Sequence, residues 1–183
     1  MIRFPVIILL MSHLVLHAEI VEESIESAGV RFRVVRLAPK QVQVVWKDQT
    51  DVPYRSFERV QAAFAKQGKA VIFIMNAGIF EPGGIPSGLH IEKRKTLHEL
   101  NLADAPGNFF LKPNGVGVDD QKQLVFAITE KGEMVSLWDF AGLFLKLGCK
   151  DALFLDGDIS QMAVNPDKPV PSNQFGAMFV VAE

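Results

Sequence analysis

Asp156-Gly157-Asp158-Ile159-Ser160 follows directly on the apolar run Ala152-Leu153-Phe154-Leu155, so two carboxylates, a glycine and a hydroxyl stand where a strand should end. A carboxylate so placed can transfer protons or balance a developing positive charge. A strand held in a core would aim Asp156 and leave it open to a ligand, which makes it the candidate catalytic residue. Two more polar clusters adjoin apolar runs: Asn76-Ala77-Gly78, and Gly107-Asn108 through Lys112-Pro113-Asn114-Gly115. Glycine lets backbone N–H groups approach a ligand, and asparagine both donates and accepts hydrogen bonds. Polyhydroxylated or phosphorylated ligands need such donors. The candidate binding residues are therefore Asn76, Gly78, Gly88, Asn108, Asn114, Gly157 and Ser160, with backbone N–H groups near Gly78, Gly83, Gly84 and Gly157 as candidate phosphate donors. Taken singly, the Asn-Gly and Asp-Gly pairs also read as plain turns, and Asp158 as a cap. Glu81 reads as a solvated loop acid, and His90 as a packed or surface residue.

The elements that must position these groups follow from the hydrophobic pattern. Val30 to Ala38 and Gln41 to Trp46 alternate polar and apolar residues about a Pro39-Lys40 turn, which predicts a strand pair. Tyr54 to Gln67 carries apolar residues at helical spacing and stops at Gly68, a glycine-capped amphipathic helix. Val71 to Met75 is uniformly apolar, as in a central strand covered on both faces. The glycine- and proline-rich stretch from Asn76 to Gly88 is a loop. Gly88 to Glu92 and Phe109 to Lys112 read as short strands, with an irregular connection between them. Asp119 to Lys122 is a turn between Val116-Gly117-Val118 and the strand Leu124 to Thr129. Ser136, with Asp139 three residues on, caps a helix that runs to Gly148. Pro166, Pro169 and Pro171 mark a second loop before a closing strand, Ala177 to Val181. Strands that both alternate with helices and pair locally predict the α/β (α+β) class, a mixed β-sheet with a few packed helices in a single domain.

With 183 residues, 49% hydrophobic and 22% charged, the chain suffices for one globular domain. Its 19 basic and 21 acidic residues are scattered, which excludes the electrostatic footprint of a nucleic-acid binder. The single cysteine, Cys149, rules out an intramolecular disulfide and reads as buried at a helix end. His90 and His98 lack the helical spacing of a zinc pair, and neither a Gly-x-Ser-x-Gly elbow nor a phosphate-binding Gly-x-x-x-x-Gly-Lys loop is present. Arg3, the apolar run Phe4 to Leu16 and His17-Ala18 have signal-peptide organisation. The expectation is a signal peptide over 1–18, a domain over 19–183, and export to the periplasm or beyond. The run is too short for a comfortable membrane span of about 20 residues, so no stable span is expected in the mature chain. An uncleaved N-terminal anchor is the alternative.

In family order, Met75-Asn76-Ala77-Gly78-Ile79-Phe80, Pro86-Ser87-Gly88-Leu89, Gly107-Asn108-Phe109-Phe110, Lys112-Pro113-Asn114-Gly115, Leu147-Gly148-Cys149 and Leu155-Asp156-Gly157 with Ser160 resemble the phosphodiester glycosidase family. The resemblance implies an exported hydrolase that releases a sugar from a glycosyl phosphodiester or a related glycan linkage, with that small molecule as its partner. Asp156 would then stabilise the oxocarbenium-like centre or deliver water. A non-catalytic, secreted glycan-binding or envelope-associated protein of the same fold is the alternative. Many members carry a further segment and an arginine between the Pro-Asn-Gly motif and a later Asn-Gly-Val-Gly-like strand. Here Pro113-Asn114-Gly115 passes straight into Val116-Gly117-Val118, so the middle is shortened and part of the pocket wall is expected to be missing. Asp158 replaces a glycine common in the family. No cofactor is required, but Asp156 with Asp158 forms a candidate calcium pair that would offset their repulsion towards an anion.

Overall fold

The computed structural model describes residues 20–87, 90–92, 95–99, 113–130 and 133–183. The expected signal peptide, the expected strand Phe109 to Lys112 and the candidate residues Gly88 and Asn108 lie outside these residues. Five strands form one sheet: β1 (Glu22–Ser27), β2 (Val30–Leu37), and, further along the chain, the strands Asn114–Asp119, Leu124–Thr129 and Cys149–Asp156. In chain order the remaining elements are β3 (Gln43–Val45), α1 (Phe57–Ala65), β4 (Val71–Asn76), β5 (Phe80–Glu81), β6 (Ile85–Pro86), β7 (His90–Glu92) and β8 (Lys95–His98). Then come β9 (Asn114–Asp119), β10 (Leu124–Thr129), α2 (Leu137–Lys146), β11 (Cys149–Asp156), β12 (Met162–Val164) and β13 (Met178–Ala182). The larger sheet has the order β1-β2-β10-β9-β11 and the second β12-β4-β13-β3, with β5-β6 and β7-β8 as small ribbons.

The mixture of strands and helices is as expected, but the expected single mixed sheet is not formed. Among the described residues every pairing between these strands is antiparallel, and the chain builds two sheets. The two sheets pack face to face, with a helix on each outer face. Val35, Phe126, Phe73, Met75 and Val181 fill the layer between the sheets. Phe32, Val34, Val125 and Ala127 turn the other way, to Phe140, Leu143 and Phe144 of α2. Ile74, Met178 and Val180 meet Phe57, Val60 and Phe64 of α1. Sheets covered twice have no polar face, so β4 and β10 read as continuous apolar runs although neither is in a parallel sheet.

Both helices begin at a serine cap, of which Ser136 was expected: Ser56 Oγ accepts from the Arg59 amide at 3.4 Å, and Ser136 Oγ from the Asp139 amide at 3.1 Å. α1 starts later than expected because Arg55 takes a left-handed backbone conformation, φ 64°, just before the cap. The expected pair formed by β2 and β3 does not exist. The 3-10 turn Pro39–Gln41 carries the chain from one sheet to the other, so β2 pairs with β1 and β10, and β3 with β13. β1 escapes the hydrophobic pattern because it is a polar, mostly exposed edge strand. Ala28 and Gly29, at φ 52° and 75°, turn it into β2 in the manner of a two-residue hairpin.

Cys149 is buried, as expected, but opens β11 rather than closing a helix, and burial pushes its thiol pKa up. β11 departs from expectation in another way. It is an edge strand, and Leu153 is 67% exposed. The glycines of β9 have a packing role: a Cβ on Gly117 would stand 2.8 Å from the Phe144 ring and 2.9 Å from the Cys149 side chain. α2 thus lies closer to β9 than any side chain there would permit. Gly117→Ala should cost about 1–3 kcal/mol by overpacking, read as a lower urea midpoint with an unchanged slope.

Candidate functional site

Three polar side chains meet where β4 ends, β9 begins and β11 ends. Asn76 and Asn114 are fully buried, and Asp156 is only 7% exposed. β11 pairs with β9 so that Asp156 faces Asn114, and a register shift between Phe154 and Asp156 re-aims the carboxylate. Asn76 brings the second sheet to the same point. Its Nδ2 donates to Asp156 Oδ2 at 2.8 Å, while the Gly157 amide donates to Oδ1 at 2.7 Å. Asn76 Oδ1 accepts from the Gln161 amide at 2.9 Å and from Asn114 Nδ2 at 3.0 Å, and Asn114 Nδ2 also reaches the Asn76 carbonyl at 2.9 Å.

The direction of these bonds is set by the backbone. The Gln161 N–H can only donate, so it fixes Asn76 Oδ1 as the acceptor and leaves Asn76 Nδ2 to donate onward. Asp156 thereby receives one donor on each oxygen, as a carboxylate does. Burial nevertheless raises its pKa above the ordinary value of 3.8, and Asp158 adds to the rise, against the opposing bonds from Gly157 and Asn76. The group is held for a charge that its surroundings resist.

A cleft of about 510 Å³ opens beside this network, lined by Ala77, Gly78, Leu155, His90, Ser87 and Phe179 among others. Leu155 and Ala77 are the chain neighbours of Asp156 and Asn76. Gly78, at φ 142°, lets the loop after β4 cross between the sheets, where the Ile79 amide donates to the Leu155 carbonyl at 3.1 Å. Among the described residues the lining is mostly apolar and contains neither Lys nor Arg.

Of the candidates named from sequence, Asn76, Asn114, Asp156 and Gly157 converge on one network, and Gly78 lines the adjoining cleft. Ser160 is half-buried and donates to the Gly157 carbonyl at 3.3 Å, and Asp158 is exposed. The expected phosphate donors at Gly84 and Gly157 are already engaged, by the Glu81 carbonyl and by Asp156 itself. Glu81, exposed, accepts from Ser87 Oγ. Among the described residues no group of three or more His, Cys, Asp or Glu side chains could hold a metal ion. His90 is packed, one of the two readings its sequence setting offered: it is buried, set edge-on to Trp46 with ring centroids 5.7 Å apart, and its place in the cleft lining was not foreseen. Gln161 escaped the sequence reading; it acts through its backbone amide, and no residue type signals that.

Residues 114–178 match the family model described as phosphodiester glycosidase. The resemblance read from the motifs is borne out over this region, which is similar to that family's domain. Over 77 residues, 42% of the chain, the sequence is 34% identical to the uncharacterized protein YigE of Escherichia coli (strain K12). The match spans 30% of YigE's length. The fold is similar to the zebrafish N-acetylglucosamine-1-phosphodiester alpha-N-acetylglucosaminidase catalytic domain auto-inhibited by pro-peptide, with TM-score 0.63 and 12% identity over 88% of this chain and 81% of that one. It is also similar to a hypothetical protein from Synechocystis, with TM-score 0.53 and 10% identity over 88% of this chain and 61% of that one. At these identities the structural likeness establishes the fold.

Asn76→Ala should leave the Gln161 amide, Asn114 Nδ2 and an Asp156 oxygen short of a partner, at about 1–3 kcal/mol for each unsatisfied group. The expected loss, measured by urea unfolding, far exceeds that of an exposed asparagine. Asp156 also makes stability depend on pH. Because its folded pKa is raised, its contribution is complete below 3.8 and is lost as pH rises through the folded value. Wild type should therefore lose stability relative to Asp156→Asn as pH rises above 3.8, until the folded pKa is passed; a constant difference would mean that the carboxyl is not destabilised by burial.

Proposed function

We propose that this chain is an exported hydrolase that cleaves a glycosyl phosphodiester or a related glycan linkage, with Asp156 at its centre. The observation that carries the reading is the convergence of Asn76, Asn114 and Asp156 from both sheets beside the cleft, with Asn114 and Asp156 inside the region that matches the phosphodiester glycosidase model. In such a reaction a water oxygen attacks the anomeric carbon, the bond to the phosphodiester oxygen breaks, and a phosphomonoester departs. Phosphate leaves readily, so the heavier demands are on stabilising the oxocarbenium-like centre and on removing the proton of water. A carboxylate whose pKa is raised by burial is a stronger base than an exposed one, and is the better placed to take that proton. In this reading Asn76 holds Asp156 in place and the cleft, with Gly78 in its lining, takes the substrate. No step runs through calcium.

The absence of Lys and Arg from the described cleft lining favours a second reading, a non-catalytic glycan-binding or envelope-associated protein of the same fold. The two are separated by measuring sugar release from a UDP-sugar or sugar-1-phosphodiester alongside calorimetric binding. A hydrolase should lose at least about a hundredfold in kcat for Asp156→Ala, as expected when a group acting directly in proton transfer is removed. Its acid limb in kcat/KM should lie above 3.8, because only ionised Asp156 accepts the proton. Turnover that survives Asp156→Ala removes Asp156 from the mechanism. Binding without turnover by the unsubstituted protein establishes the second reading.

A further inference from the structure

The bonds that orient Asp156 continue outwards through the molecule. Asn76 turns its Nδ2 to Asp156 because its Oδ1 accepts from the Gln161 amide at 2.9 Å. Gln161 closes the irregular segment 157–161 between β11 and β12, and the bond that extends the β12–β4 ladder to it, from the Asn76 amide to its carbonyl, is long at 3.4 Å. Its side chain supplies a tighter hold. Oε1 accepts from the Asn173 amide at 2.7 Å, and Asn173 Nδ2 also reaches the Ile159 carbonyl at 3.4 Å. Asn173 belongs to the proline-containing loop before β13, which is itself fastened to α1 and to the residue before its cap. Ser172 Oγ accepts from the Phe57 amide at 2.9 Å, the Val170 amide donates to Gln61 Oε1 at 2.9 Å, and the Phe175 amide donates to the Arg55 carbonyl at 2.6 Å. Hydrogen bonds therefore link α1, by way of this loop and Gln161, to Asn76 and Asp156.

We propose that Gln161 is a positioning residue for Asp156: its backbone amide sets Asn76, and its side chain, held by the Asn173 amide, sets that backbone. Without Oε1 the segment 157–161 gains freedom and the Gln161 amide strays from Asn76 Oδ1. Asn76 then loses the bond that fixes which end of its side chain faces the carboxylate. A side-chain amide that can turn over presents its oxygen to Asp156 as well as its nitrogen, and an oxygen there opposes the carboxylate charge. Among the described residues the charged group acting on Asp156 is Asp158 of the same segment, and the titratable group in the adjoining cleft lining is His90. Asn76 of β4 and Asn114 of β9 are uncharged, as is Gln161, so replacing Gln161 with leucine changes the bonding and leaves the charges as they are. The effect on turnover rests on the hydrolase reading; the orientation of Asp156 does not.

Carboxyl titration by NMR on the folded protein with isotope-labelled aspartate, Asp156 being assigned through Asp156→Asn, tests the proposal. Gln161→Leu should raise the Asp156 pKa above that of wild type, because the donor from Asn76 is weakened. Asn173→Pro removes the amide at the other end of the same bond and should do likewise, and the double variant should go no further than either single one. Asn173→Ala keeps that amide and should titrate like wild type. In turnover of a sugar-1-phosphodiester, Gln161→Leu should lower kcat about tenfold with KM changed by less than about twofold, as for a misplaced reacting group, and move the acid limb of kcat/KM upward. Lowered stability with an unchanged Asp156 titration in both Gln161→Leu and Asn173→Pro makes the contact merely structural and overturns the proposal. So does an effect of Asn173→Ala equal to that of Gln161→Leu. Absence of turnover in the wild type removes the hydrolase reading, and the titration then decides this inference alone.

Discussion

The packing of the two antiparallel sheets against each other is the constraint on which the rest of this molecule depends. Phe126 of β10 is its centre, with ring centroids 4.9 Å from Phe73 and 5.1 Å from Phe179, both in the opposite sheet. Once that face is buried, the outer faces also need cover, since β10 and β4 are apolar on both sides. α2 and α1 supply it. The glycines of β9 follow from the same demand: α2 can seal the outer face of the larger sheet only where β9 has no side chains in the way.

The site is a consequence of how that packing ends. Where β4, β9 and β11 leave the apolar layer, three buried polar residues replace it. They are tolerated because their hydrogen bonds run in a single direction, from backbone N–H groups and amide nitrogens towards one carboxylate. The network ties the two sheets together and also holds Asp156 in surroundings that oppose its charge. Structural stitching and chemical readiness come from the same bonds. The cleft exists because β11 is the edge of its sheet and its residues 153 to 155 are not fully covered by the second sheet.

Much of this was legible in the residues. Ser136 marked the start of the second helix, Gly68 the end of the first, and the runs at Val71 and Leu124 the two most buried strands. The Asn76, Asn114 and Asp156 clusters were recognisable because polar residues directly flanking apolar runs must emerge at strand ends. Other features were not. β1 is too polar to show a buried face, and β12 is three residues long. The continuous apolar run of β4 was compatible with a single mixed sheet as well as with a doubly covered antiparallel one. His90 looked like an ordinary strand residue until the fold placed it in the cleft.

The sequence by itself determined where strands and helices lie, the capping of the helices, and which short polar motifs stand at strand ends, because these depend on neighbouring residues and on hydrophobic period. Only the tertiary structure decided that β2 and β3 part into different sheets, that β11 is an edge, and that Asn76, Asn114 and Asp156 touch. Those outcomes depend on long-range pairing and on the balance of burying a carboxylate against bonding it. No local pattern encodes the direction of a hydrogen-bond chain fixed by the backbone amide of Gln161, 85 residues from the side chain it orients.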